Sequence, residues 1–244
     1  MSYQRIISLV PSLTELIIDL GLRDRLIGRT RFCIHPKDEI ADVPIVGGTK
    51  RANLEKIRDL QPDYILTNKE ENTKEDVEAL QDEFHVVLTE IDTVEDALLA
   101  IYEIGQDLEV ADRADQLIQN IQSLIQQIPD QRELTAAYFI WREPWMVAGK
   151  GTYIHDVMSK WGIRNVFGDQ PRYPTVELSE LKKAYPDLVL LSSEPYPSKE
   201  KHIEEIREAY PAANILLVDG EWFSWYGSRM IPAFEGLNAW RASL

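Results

Sequence analysis

Apolar positions in this chain fall into two periodicities that alternate along its length. Residues 5–10 (RIISLV), 64–67 (YILT) and 85–89 (HVVLT) are short, apolar and rich in β-branched side chains, which predicts buried strands. Shorter strands are expected near 26–28 and 43–46. Helical spacing separates them: 11–20, opened by a capping box of Ser12 and Glu15; a helix capped by Asn53; and one over 73–83. Gly21 suits the end of the first helix, and Pro62 stops the second. The pattern then restarts. Strands are expected at 135–141, 165–167, 188–191 and 215–218, with helices over 152–161, 176–184 and 199–209 and a closing helix to about 241. Alternation of this kind predicts α/β architecture, with parallel sheets covered by helices.

Joining the two halves is the longest run of helical spacing, Thr93 to Ile128. It contains one glycine, Gly105, and ends at Pro129. One face carries Ala97, Leu98, Ile101, Ile104 and Leu108, then Ala114, Leu117, Ile118, Ile121, Leu124 and Ile125. A break near 105–110 leaves two readings open: one long helix, or two in series. The flanking halves also resemble each other. NLEKIRDLQPDYILTNKEE and VELSELKKAYPDLVLLSSEP share helix, Pro-Asp, strand and a polar loop with glutamate, with Pro62 and Pro186 standing 124 positions apart. The expected organisation is an N-terminal lobe over 1–92, a bridging helix over 93–129 and a C-terminal lobe over 130–244.

Composition narrows the function. A formal net charge of −15 disfavours nucleic acid and anionic membrane surfaces as partners. No apolar run reaches the roughly 20 residues that a membrane span needs, so no membrane insertion is expected. The opening residues hold no secretory h-region, which fits either a cytoplasmic chain or one whose leader was removed. The single cysteine, Cys33, excludes an internal disulfide. Catalytic signatures such as G-x-S-x-G, the Walker loop and H-E-x-x-H are missing, and no enzyme is expected. The four histidines have no partner at helical metal-binding spacing, so no metal site is expected. His35, in RFCIHP, is the remaining candidate for contact with a metal centre inside a bound chelate.

Ligands of open α/β sheets lie beyond the carboxyl ends of the strands. The loops there carry Asn68; Trp141, Arg142 and Trp145; Tyr196; and Trp222, Trp225, Tyr226 and Arg229. Aromatic rings with an arginine suit a flat, partly anionic ligand, and roughly half of these rings are expected to serve as core instead.

The series RIISLVPSLTELIIDLGL, LIGRTRFCIHP, NLEKIRDLQPDYIL, the long helix and GIRNVFGD resembles the helical-backbone solute-binding proteins of ABC importers. That family includes vitamin B12-binding and ferric siderophore-binding proteins. The resemblance implies a ligand cleft between two lobes and a metal chelate (ferric siderophore, haem or a cobalamin-like corrinoid) as ligand. It also implies a monomer, no cofactor beyond the bound ligand, an ABC permease as partner, and a periplasmic or cell-surface location. Phe32 then belongs to the cleft wall. Asn68-Lys69-Glu70 stands where the B12-binding relatives place an aromatic, a departure that weighs against B12 itself. Glu55 matches the permease-docking glutamate of the first lobe, and Glu180 lies beside the matching position of the second. The alternative is an intracellular chelate-binding or sensing protein that kept the fold without transporter docking.

Overall fold

The computed structural model describes residues 2–244, and the chain divides into two compact units. Unit one comprises residues up to 91, 95–122 and 226–230. Unit two comprises 92–94, 123–225 and 231–244.

Unit one runs β1 (Ile6–Ser8), α1 (Pro11–Asp19), β2 (Leu26–Arg29), a two-residue hairpin of β3 (Gly47–Gly48) and β4 (Arg51–Ala52), α2 (Leu54–Leu60), β5 (Tyr64–Asn68), α3 (Lys74–Gln81) and β6 (Val86–Thr89). Its sheet is all parallel, in the order β2-β1-β5-β6. Ile7, Leu9, Val46, Ile57, Ile65 and Leu80 form a core between sheet and helices. Two local expectations change. Helix α1 begins at Pro11, whose missing N–H costs nothing in the first turn, so Ser12 and Glu15 lie inside the helix rather than forming its cap. The expected strand at 43–46 contributes only a single bridge, from Ile45 to Arg29.

The joining stretch is two helices in series, α4 (Val94–Asp107) and α5 (Ala111–Gln126). The chain reverses at 108–110, where Glu109 takes a left-handed φ of 61°. Gly105 is needed for this corner: a Cβ there would stand 2.3 Å from the Cβ of Ala114 on α5. Most of both helices packs with unit one.

Unit two runs β7 (Leu134–Trp141), β8 (Met146–Val147), α6 (Tyr153–Lys160), β9 (Ile163–Asn165), α7 (Leu178–Ala184), β10 (Leu188–Ser192), α8 (Glu200–Ala209), β11 (Ile215–Val218), α9 (Glu221–Ser224) and α10 (Met230–Ala242). Strands β9, β7, β10 and β11 pair in that order, all parallel, and β8 adds an antiparallel turn on β7. Reading β7 for β1, β9 for β2, β10 for β5 and β11 for β6, the strand order is that of unit one.

The repeat holds down to single atoms. Gln61 and Tyr185 end α2 and α7 in the same left-handed conformation, φ 46° and 47°. Asp63, two residues on, accepts hydrogen bonds from the backbone N–H groups of Gln4 and Arg5, at 2.9 and 2.8 Å. Asp187 accepts from the N–H of Thr135 at 2.7 Å and from its hydroxyl at 2.9 Å. In each unit an aspartate therefore ties the helix-to-strand turn to the start of the first strand. This shared device sets the Pro-Asp pair apart from ordinary α/β grammar.

Candidate functional site

In unit one, the loop after β2 carries Phe32 with its ring 54% exposed, its edge lying over Gly48, where a Cβ would come within 3.2 Å. Ile34 is similarly exposed. Cys33, beside them, points inward, its sulfur 3.0 Å from the hydroxyl of Thr14 and 3.2 Å from that of Thr30; burial pushes its thiol pKa up. His35, two residues on, is half-buried and exerts a favourable charge effect on Glu15. Among the described residues no group of three or more His, Cys, Asp or Glu side chains is disposed to hold a metal ion.

Residues 226–230 pack against α1, and this changes the reading of two candidates. The Arg229 guanidinium donates to both carboxylate oxygens of Glu15, at 2.9 and 2.6 Å, with the side chains 18% and 11% exposed. Burial raises the Glu15 pKa, and Arg229 opposes that rise. Arg229 is thus committed to a buried carboxylate rather than offered to an anionic ligand. Tyr226 is buried beside it.

Asn68, at the end of β5, is also committed. Its amide donates to the carbonyl and hydroxyl of Thr89 and accepts from the N–H groups of Glu70 and Glu71. It shapes the loop and is buried, so it is not a contact residue. Glu71, in the same loop, is mostly buried, which raises its carboxyl pKa; Lys50 opposes the rise.

In unit two the rings divide into two groups. Trp222 lies against α10, where Gly236 makes the room: a Cβ there would stand 2.7 Å from the indole. Trp225 is 8% exposed and hydrogen-bonds to the Glu194 carboxylate. That carboxylate also accepts from the Ser224 hydroxyl at 2.6 Å, and burial raises its pKa. Trp225 is therefore a packing residue, one of the roughly half of these rings expected to serve as core, and Trp222 is half-buried against α10.

Trp141, Arg142, Trp145 and Tyr196 form the second group. Trp141 ends β7 with its ring 41% exposed, and Tyr196, from the loop after β10, stands edge-on to it at 5.5 Å. Trp145 turns inward, edge-on to core Phe139 at 5.4 Å. The Arg142 guanidinium lies 5.5 Å above the Trp145 ring and is paired with Glu205 at 2.6 Å and with Glu143. Trp141 therefore stands exposed where ligands of open α/β sheets bind, beyond the carboxyl end of a strand. The structure thus leaves Phe32 in unit one and Trp141 in unit two as the exposed rings among the expected site residues, with half-buried Tyr196 beside Trp141.

His202, on α8, is buried next to Tyr196. Of the docking candidates, Glu55 is exposed in the first turn of α2. Glu180 is folded back to accept from the Glu177 N–H at 2.7 Å, forming the capping box of α7.

Known proteins share this arrangement. An uncharacterized ABC transporter substrate-binding lipoprotein of Bacillus subtilis is 26% identical over 252 residues, which cover 96% of this chain and 78% of that protein. The periplasmic vitamin B12 binding protein of Vibrio cholerae is similar in structure with a TM-score of 0.83 at 22% identity, covering 99% of this chain and 97% of that one. The periplasmic heme-binding protein RhuT of Roseiflexus sp. RS-1 is similar with a TM-score of 0.84 at 18% identity, covering 100% and 99%. At those identities the two structural likenesses show a shared fold. The sequence profile of the periplasmic binding protein family matches residues 6–214, most of the chain, and the protein belongs to that family.

Proposed function

We propose that this binding protein takes a metal chelate at loops beyond the carboxyl ends of its parallel strands, as the substrate-binding component of an ABC importer. The family and the relatives are binding proteins of transporters and not enzymes, in keeping with the missing catalytic signatures. The observation that carries the ligand class is the pair of exposed Trp141, at the end of β7, and half-buried Tyr196, in the loop after β10, meeting edge to face. Such rings give a flat ligand apolar area and π-contact at small entropic cost, each having only two side-chain torsions to fix. Phe32 is the exposed ring of unit one, likewise beyond the end of a strand, β2. The polar stretch Asn68-Lys69-Glu70, standing where the resemblance to the B12-binding family members leads one to expect an aromatic, favours a ferric siderophore or haem over a corrinoid.

Glu55 is exposed and suits a cationic permease surface. The Glu180 carboxylate is engaged in its own helix cap, an observation that favours the second reading: a chelate-binding protein of the same fold that docks to no transporter. Equilibrium dialysis against haemin, cyanocobalamin and ferric hydroxamate and catecholate complexes tests the ligand class. Retention of one class at a single site is the expected outcome. Retention of none refutes the chelate reading.

A further inference from the structure

His202 is the third helical residue of α8, in the position from which a side chain reaches back to the helix start. Its Nδ1 accepts a hydrogen bond from the Lys199 backbone N–H at 2.9 Å. An imidazole nitrogen that accepts carries no proton, so the proton of the neutral ring resides on Nε2. Nε2 lies 3.2 Å from the Tyr196 phenol oxygen, and Nε2–H therefore donates to that oxygen. The phenol's own O–H is left to donate elsewhere.

The ring contacts extend from that bond in both directions. Tyr196 meets the His202 ring edge-on at 5.3 Å and Trp141 edge-on at 5.5 Å. Trp145 meets the other side of His202 at 6.4 Å, nearly perpendicular, and rests on Phe139 of the core. Exposed Trp141 is thus connected to the interior through Tyr196, the 1%-exposed His202 and Trp145. Without the imidazole, Tyr196 has no fixed hydrogen-bond partner behind it, and both outer rings are free to change rotamer.

We propose that His202 is a positioning residue of the ligand site, holding Tyr196 and Trp141 in their binding pose and turning the Tyr196 O–H toward an oxygen acceptor on the ligand. The inference rests on the chelate reading above, and it adds a chemical preference. The ligand presents an anionic or carbonyl oxygen at the rim of a flat face.

The bond pattern also sets a pH dependence. A second proton on His202 must go to Nδ1, where it faces the Lys199 N–H, donor against donor. Burial disfavours the charged ring, and Lys201, Arg142 and Lys199 oppose it, while Glu205 favours it. The His202 pKa is therefore held below the ordinary imidazole value, and acidification through that lowered value breaks the cap and releases Tyr196.

His202→Gln separates positioning from folding. A glutamine at this helix position retains the bond to the Lys199 N–H, as in an ordinary capping box, but does not reach Tyr196. The probe is whichever chelate the wild-type protein retains in dialysis. The variant is expected to bind it about tenfold more weakly with unchanged far-ultraviolet circular dichroism, and Tyr196→Phe to lose a similar factor. Wild-type affinity should fall on acidification below neutral pH, and that of His202→Gln should stay flat. Equal affinity in wild type and His202→Gln, or equal acid sensitivity, overturns the proposal. Ring-nitrogen NMR of the ligand-free protein supplies a readout that needs no chelate. The His202 Nε2–H tautomer is expected at neutral pH, and an Nδ1–H tautomer overturns the proposal whatever the ligand. A wild-type protein that retains no chelate but shows the Nε2–H tautomer refutes the function reading and with it the ligand-positioning role.

Discussion

Arg229→Ala offers a sharp test of how unit one is held together. The substitution removes the guanidinium that donates to both carboxylate oxygens of Glu15 and leaves that carboxylate inside the protein, 11% exposed. Breaking a buried pair by deleting one partner costs about 3–5 kcal/mol, because the survivor keeps its desolvation penalty. Residual exposure of both groups places the expected loss near the lower end, about 3 kcal/mol. At this chain length each kcal/mol moves the melting temperature by about 2–4 °C, so a drop of about 6–12 °C is expected at neutral pH. The loss should depend on pH in a defined direction. The Glu15 pKa is already raised in the folded state, mainly by burial, and losing Arg229 raises it further. A carboxyl whose folded pKa lies above its unfolded value binds more protons when folded, so its contribution to stability falls as pH rises through that window. The deficit of Arg229→Ala is therefore small below the ordinary glutamate pKa, at about pH 4, and full at neutral pH. Adding Glu15→Gln should recover about half of the loss, since a neutral amide costs less to bury. Calorimetry at both pH values checks this. A melting temperature unchanged at neutral pH, or a deficit equal at both, refutes the assignment of Arg229 to structure.

Four further substitutions test the remaining assignments. Gly105→Ala should cost about 1–3 kcal/mol by denaturant titration, because its Cβ would overlap that of Ala114 and force α4 from α5. Trp225→Ala should cost about 3–5 kcal/mol, as befits a buried ring, and unchanged stability would return that ring to the candidate site. Asp63→Ala and Asp187→Ala should each free the amide hydrogens at the start of the first strand of their own unit, read as faster hydrogen exchange at Arg5 and at Thr135 respectively. The bonds from Thr135 hold the Asp187 pKa below the ordinary value, so its contribution is present above that value and fades as pH falls through the lowered one.

The fold was legible because its signals are local. Strand, helix and turn residues follow one another in the order the sheet needs, and the Pro-Asp repeat marks the same helix-to-strand turn in both units. The candidate site was legible only in part. Trp141, Tyr196 and Phe32 follow strand ends, and the structure leaves their rings accessible. The cluster of aromatics at 222–226 follows a strand in the same way, yet Trp222 is taken up by Gly236 and Trp225 by Glu194, partners that no local pattern connects to them. Glu15 fits a capping box by spacing, but Pro11 moves the helix start and frees the carboxylate for an arginine 214 positions away. The role of His202 is not legible in the sequence, where it stands among Glu200, Lys201 and Glu204 in a charged helix. Only the cap to Lys199 turns the ring inward, toward a tyrosine six residues earlier.

The central claim is that exposed rings at the strand ends bind a chelate. Titration of tryptophan emission with haemin, cyanocobalamin and ferric siderophores, corrected for absorbance and run beside Trp141→Ala, tests it most directly. One ligand class should quench the wild-type protein saturably at submicromolar concentration, with affinity about tenfold weaker in Trp141→Ala. Equal affinities in the two proteins would remove the Trp141–Tyr196 pair from the site, and no saturable quenching by any chelate would contradict the account.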